Sequence, residues 1–230
     1  MRLWKELTPF ERGLWISGVL VVFAAFILSG GEDALTLAAS IIGVTALIFV
    51  AKGYVIGQVL TVVFAVFYGI ISWFFQYYGE MITYLGMSAP IAALAVISWM
   101  KHPYEGSRVV AVHRITRRET AVMLLWAELV TIVFYFILRA LGNANLVFST
   151  LSVTTSFLAA YLTWRRSPWY ALGYAANDII LIVLWILAAK TDASCIPMIF
   201  CFVLFLVNDL YGLYNWRKME KIQGGNAVGK

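Results

Sequence analysis

Charge is scarce in this chain. Only 13% of its 230 residues are Asp, Glu, Lys or Arg, against about a quarter in a soluble globular domain, so a surface wetted by water on every side is excluded. There are 2 cysteines, with no CxxC pair and no histidine close by, which excludes a disulfide framework and a zinc ribbon; Cys195 and Cys201 read as small packing residues near the outer end of the last helix. The 2 histidines, His102 and His113, stand in a basic loop without a neighbouring nucleophile. HExxH, a glycine-rich phosphate loop and GxSxG are all missing, so no metal, no cofactor and no enzyme activity is expected.

What fills the chain instead is hydrocarbon: 62% of residues are hydrophobic and the mean hydropathy is +0.85. Eight apolar runs, near 13–30, 34–51, 54–75, 82–100, 120–141, 146–163, 169–189 and 195–215, are each about long enough to cross a bilayer core of roughly 30 Å at 1.5 Å per residue. They are solid blocks rather than the alternating segments of a membrane barrel. The expected fold class is therefore all-α integral membrane. The first run follows "MRLWKELTPFERG", charged and amphipathic, with no small-x-small cleavage site, and is expected to be retained.

Positive charge orients such a bundle, because Lys and Arg stay in short cytoplasmic loops. Eight crossings from a cytoplasmic N-terminus leave only Arg139 and Lys190 of the 17 basic residues outside, where Glu32, Asp33, Glu80 and Asp192 also fall. Both termini are expected in the cytoplasm and the chain in the cytoplasmic membrane. The pI near 9.2 then answers the orientation rule and anionic lipid, and needs no nucleic acid.

The basic loop 101–119 divides the chain. "SIIGVT" (40–45) resembles "STLSVT" (149–154), and "ISWMK" (97–101) resembles "YNWRK" (214–218). Two triplets that both start outside and end inside are parallel repeats, and place a solute site between the halves near the midplane. The expected organisation is an amphipathic segment and extra helix (1–33), a first three-helix bundle (34–100), the basic loop with a linker helix (101–144), a second three-helix bundle (145–216) and a cytoplasmic tail (217–230).

Charge at the bilayer centre is costly and normally faces protein or water; here it comes from Glu128, Asp178 and Asp209. Tyr170, Tyr174, Asn177, Leu181 and Trp185 recur at helical spacing, as do Gln58, Thr61, Ala65 and Tyr68, so two polar stripes are expected to line one cavity. Asn208, Asp209, Tyr211 and Asn215 add to it from the last helix. Thr45 and Thr154 are expected to be interhelical glue. Trp73, Trp99, Trp169 and Trp216 fall at helix ends and are expected in the interfacial belts, Glu80 reads as a solvated outer-turn acid with Tyr77 and Tyr78 beside it, and Pro90 is expected to kink its helix.

"YYGEMITYLGMSAPIAALAVISW" (77–99) resembles the outer turn and third helix of the PnuC family of nicotinamide riboside transporters, with Tyr78, Gly79, Glu80, Met81 and Trp99 in the family's places; "SFLAAYL" (156–162) and "YGLYNW" (211–216) resemble its second half. The resemblance implies two three-helix bundles joined by a linker, as in SWEET sugar transporters, and uptake of nicotinamide riboside by facilitated diffusion, with cytoplasmic phosphorylation trapping the product for NAD synthesis. Related branches take thiamine, riboflavin or deoxynucleosides. The family's Trp-x-x-Trp-x-x-x-Asn pattern is only partly present: with its Asn on Asn177, Tyr170 and Gly173 stand where the tryptophans belong. Nicotinamide riboside and thiamine are cations, favoured by aromatic faces and by a nearby carboxylate. The expected ligand set is Asn177 and Gln58 as hydrogen-bonding groups, Tyr68, Tyr170 and Tyr174 as stacking rings, and Asp178 and Asp209 as counter-charge or sugar acceptors, with Thr61 and Asn208 beside them. The partners expected are this small solute and the lipid bilayer, and a homo-oligomer is left open.

Overall fold

The computed structural model describes residues 2–28, 34–74, 78–143, 145–191 and 196–228. Its helices are α1 (Arg2–Lys5), α2 (Pro9–Leu28), α3 (Ala34–Ala51), α4 (Val55–Phe74), α5 (Tyr78–Thr83), α6 (Ala89–Lys101), α7 (Arg117–Ala140), α8 (Leu146–Trp164), α9 (Tyr170–Ala189) and α10 (Ile196–Val228). Among the described residues, 8 helical segments are long and apolar enough to cross a membrane, α5 and α6 forming one of them. Glu32, Asp33, Tyr77, Asp192 and Cys195 lie outside the described residues. The last helix runs on through the expected tail.

Between α5 and α6 the chain makes a π-helical turn, Tyr84–Ser88, closed by the Ala89 N–H on Tyr84 O. Pro90 has no N–H to give, and a wider turn just before it absorbs the break. What accommodates Pro90 is thus a local change of helical type.

The helices form a ring. α3 packs on α4, α4 on α6, α6 on α8, α8 on α9, α9 on α10, and α10 returns to α3; α7 leans on α8 from outside, and α2 lies against α3 and α10. Glycine sets the closest approach: a Cβ on Gly57 of α4 would lie 2.4 Å from Val50 N of α3, and one on Gly173 of α9 would lie 2.9 Å from Ala159 of α8. In lipid, where apolar side chains gain little by leaving their neighbours, such backbone contact is a principal source of helix association.

The two halves are stitched at the loop end of the ring, by the same bonds twice. α3 and α8 each end in a left-handed residue, Gly53 at φ +71° and Arg166 at φ +59°. Gly53 N donates to Val50 O and Arg166 N to Thr163 O, both at 2.9 Å, satisfying carbonyls that a helix end leaves open. The same two carbonyls accept an indole from the opposite half: Trp216 Nε1 reaches Val50 O and Trp99 Nε1 reaches Thr163 O, again at 2.9 Å. Both tryptophans are 0% exposed and their rings meet at 5.3 Å. They are core residues, a correction to the belt position expected from their place at helix ends. Trp73 and Trp169 are exposed.

The loop 102–116 crosses beneath this seam. Val110 N donates to Gly53 O at 2.9 Å and His113 N to Arg166 O at 3.0 Å, so one strand of loop touches the matching residue of each turn. Gln223 of α10 holds it from the other side, accepting from Val112 N and donating to Val110 O. The loop ends in a capping box at Thr116 and Glu119 that starts α7, and Glu119 also meets Arg165 and His113.

The extra helix α2 is anchored by charge. Glu11, 1% exposed, closes a capping pair with Thr8 and accepts from Lys52 Nζ at 3.0 Å and Tyr211 OH at 2.7 Å. A buried carboxylate is tolerated here because each lone pair has a donor. Thr45 receives Trp15 Nε1 from α2, and Thr154 shares a hydrogen bond with Thr131 of α7, so both threonines join helices.

Candidate functional site

Above the Trp99–Trp216 seam, polar side chains converge from α4, the π turn, α9 and α10. The lowest is Tyr170, the first residue of α9, 1% exposed. Its ring packs 5.0 Å from Trp216 and 6.2 Å from Tyr174, and Gly212 leaves it room, since a Cβ there would stand 3.0 Å from the phenol oxygen. Tyr170, expected among the stacking rings, is therefore floor: its faces are already taken.

One turn further along α9 comes Tyr174, and one turn beyond it Asp178. Asp209 of α10 lies beside Tyr170, Tyr174 and Asp178. Both carboxyl groups are buried, Asp178 at 5% and Asp209 at 4% exposure, and among the described residues neither forms an ion pair with a base. Asp178 Oδ2 is buried without a hydrogen-bond partner there. The two carboxyl groups hydrogen-bond one another, sharing a proton; a buried polar atom left over is costly, so Oδ2 is a position that a solute's cation or hydroxyl would satisfy.

The opposite wall is aromatic. Tyr84, in the π turn, is close enough to Tyr174, Asp178 and Glu80 for their charges to interact; its ring lies 4.5 Å from Tyr68 and 5.9 Å from Phe64. Glu80 is exposed and hydrogen-bonds with Tyr68. The sequence reading missed Tyr84 and Phe64 and gave Glu80 no role beyond solvation. The signal for Tyr84 was its place inside an apolar run that it otherwise interrupts.

The remaining expected residues are not all gathered here. Asn177 is buried, but its Oδ1 accepts Ser152 Oγ and Thr155 Oγ1 of α8, each at 3.0 Å; its Nδ2 makes no hydrogen bond among the described residues. Gln58 is buried near the loop end of α4, ten residues or about 15 Å along the helix from Tyr68. Thr61 bonds back to Gly57 O. Asn208 points away from its neighbour Asp209: it lines a cavity of about 20 Å³ between α2, α3 and α10, beside Cys201, Gly18 and Val44. Consecutive helical residues diverge by about 100°, so the pair cannot share a face. No cluster of three or more metal-binding side chains occurs among the described residues.

A family model described as "nicotinamide mononucleotide transporter" matches residues 33–218. The nicotinamide riboside transporter PnuC of Neisseria mucosa is 27% identical over 224 residues, covering 95% of this chain and 84% of that protein. The PnuC of Haemophilus influenzae is 25% identical over 221 residues, covering 95% and 92%. A crystal structure of the vitamin B3 transporter PnuC superposes with a TM-score of 0.78 over 94% of each chain at 24% identity, which shows the same fold. A match over residues 33–218, spanning the whole ring and its linker, establishes that this multi-pass membrane protein belongs to the nicotinamide mononucleotide transporter family and is a transporter, not an enzyme.

Proposed function

We propose that the chain carries nicotinamide riboside inward across the cytoplasmic membrane by facilitated diffusion, with alternating access to one site and entry into NAD synthesis beyond it. The observation that carries this reading is the juxtaposition of two buried carboxyl groups, Asp178 and Asp209, with the rings of Tyr174, Tyr84 and Tyr68 and with no basic partner among the described residues. A pyridinium ring gains about 0.5–2 kcal/mol from an aromatic face, and a ribose supplies hydroxyls for carboxylate oxygens. Tyr174, Tyr84 and Tyr68 provide the ring faces, Asp178 and Asp209 the counter-charge, and Asn177 Nδ2 a donor. Two three-helix bundles, 34–100 and 145–216, rock against each other about this site, both termini are cytoplasmic, and copies of the chain associate in the bilayer.

Calorimetric titration of the detergent-purified protein with nicotinamide riboside, thiamine and deoxynucleosides tests the substrate. Nicotinamide riboside should bind most tightly. Preferred binding of thiamine or of an uncharged deoxynucleoside would overturn the assignment. Asn177→Ala should weaken binding about 5- to 10-fold, the value of one hydrogen bond to a ligand, and unchanged affinity in a folded variant removes Asn177 from the site.

A further inference from the structure

The lipid-facing stripes of α4 and α6 run together at the loop end of the ring. On α4, Val59, Val66, Ile70 and Trp73 are exposed, and Val55, one turn before Val59, continues their line. On α6, Leu94, Ile97 and Met100 are exposed at every third position. Between Val55 and Ile56 on one side and Met100 on the other lies a groove of about 630 Å³, completed by Trp99 and by Pro103 and Arg108 of the loop.

The helical walls are hydrocarbon and continue the two surfaces that face lipid, so what fills the groove is lipid. A gap between helices forfeits van der Waals contact on its unfilled side, and a flexible acyl chain restores it. The bases at the rim then select the headgroup. Arg108 has its side chain 56% exposed and gives Nη1 to Glu6 at 2.7 Å. A guanidinium has five N–H donors in all, so most are left for a phosphate. Lys101, next to Met100 and one turn beyond Ile97, is exposed and forms no ion pair among the described residues. Glu6 offsets one of these two positive charges and leaves the other, and Glu105 of the same loop does not line the groove.

We propose that this groove binds one anionic phospholipid of the leaflet at the loop end, its acyl chain along Val55, Ile56 and Met100 and its phosphate on Arg108 and Lys101. The site bears on the seam between the halves. Trp99, in its wall, donates to Thr163 O of the other half, and Val110, also in the wall, ties the loop to Gly53 O. A bound lipid braces both contacts and so stabilises the closed loop end. The inference rests on the transmembrane fold alone; the identity of the solute does not enter it.

Native mass spectrometry of the detergent-purified protein, titrated with phosphatidylglycerol or with phosphatidylcholine, counts the lipid retained and ranks its affinity. One phosphatidylglycerol should stay bound, more tightly than phosphatidylcholine. Arg108→Gln and Lys101→Gln should each weaken it about 5-fold, the value of one base near an anionic surface. Arg108→Lys, which keeps the charge, should retain it, as should Arg118→Gln, which removes an exposed base at the start of α7, outside the groove. Ile56→Trp fills the groove and leaves its charges, and should expel the lipid and abolish any rise in unfolding temperature on adding phosphatidylglycerol. Inorganic phosphate, which brings no chain, should not compete. Thermal unfolding without added lipid confirms that each protomer is intact. Equal retention of the two lipids, an Arg108→Gln or Ile56→Trp variant that holds phosphatidylglycerol as the wild type does, or displacement by phosphate overturns the proposal.

Discussion

The paired indole bonds at the seam give a quantitative test of the internal symmetry. Trp99→Phe and Trp216→Phe each keep a ring and delete a donor. The acceptor is not orphaned in either case, because Val50 O still receives Gly53 N and Thr163 O still receives Arg166 N, both at 2.9 Å. The cost is then that of an ordinary intramolecular hydrogen bond, about 0.5–1.5 kcal/mol, and not the larger penalty of a buried carbonyl left without a partner. Shrinking the ring at a fully buried position leaves a void worth on the order of 1 kcal/mol. Each variant should therefore lose about 2 kcal/mol, and the two losses should agree, since each tryptophan occupies the same place in its half. The rings touch at 5.3 Å, so the double variant should depart from the sum. Unfolding in detergent, followed by ligand-free thermal or denaturant titration, reads all three. Ligand affinity breaks the tie: Trp216 supports Tyr170 at 5.0 Å, so Trp216→Phe should weaken binding more than Trp99→Phe. A large loss for one tryptophan and none for the other would refute the equivalence of the two seams.

The Glu11 anchor predicts an asymmetric cost. Lys52→Met leaves a carboxylate of 2% side-chain exposure with only Tyr211 and Thr8 as donors, and should destabilise by about 3 kcal/mol in thermal unfolding, whereas adding Glu11→Leu should restore most of it; a Lys52→Met variant as stable as the wild type would show the pair to be dispensable. His113, in the loop, has its pKa held below the usual histidine value by burial first and then by Arg165 and Arg166, while the nearby Glu119 is already engaged by Arg165 and Thr116. The unfolded chain then takes up the proton more readily than the folded one, so this contribution to stability is complete above about pH 6.5 and is lost as the pH falls through the lower folded value. His113→Gln should flatten the stability profile between about pH 8 and pH 5, and parallel profiles for variant and wild type would rule the loop histidine out.

Crossing number and helix type were legible because a run of about 20 apolar residues has few other physical uses. The site was less so, and particular residues show why. A tryptophan at a helix end reads the same whether it faces headgroups or a seam; only its recurrence in "ISWMK" and "YNWRK" distinguished Trp99 and Trp216 from Trp73 and Trp169. Asn208 and Asp209 are neighbours in sequence, and a helix sends them to different surroundings, Asn208 to the small cavity beside α2 and Asp209 to Asp178 and Tyr174. Asn177 shares its stripe with Tyr174 on paper, yet hydroxyls from α8 engage its oxygen, a contact that depends on which helix lies next door. Glu80 and Tyr84 join the cluster through the π turn, a change of helical period that composition does not announce.

Matching the two halves by their turns shows where the symmetry stops. Twelve residues after Gly53 stands Ala65, and twelve after Arg166 stands Asp178; seven before Trp99 stands Ala92, and seven before Trp216 stands Asp209. The first half thus has alanine at both places where the second has a buried acid. Four carboxyl groups in one lumen would repel one another by about 2 kcal/mol per ionised pair at 8 Å and an effective dielectric of 20, against a solute able to bring one positive charge. From across the ring the first half instead brings Tyr84 near Asp178, with Tyr68 and Phe64 packed beside that tyrosine. The frame and its seams recur in both halves, and the halves differ in the acid on one wall and the aromatic ring on the other; on the reading proposed above, that difference gives the site a direction in which a lopsided cation would lie.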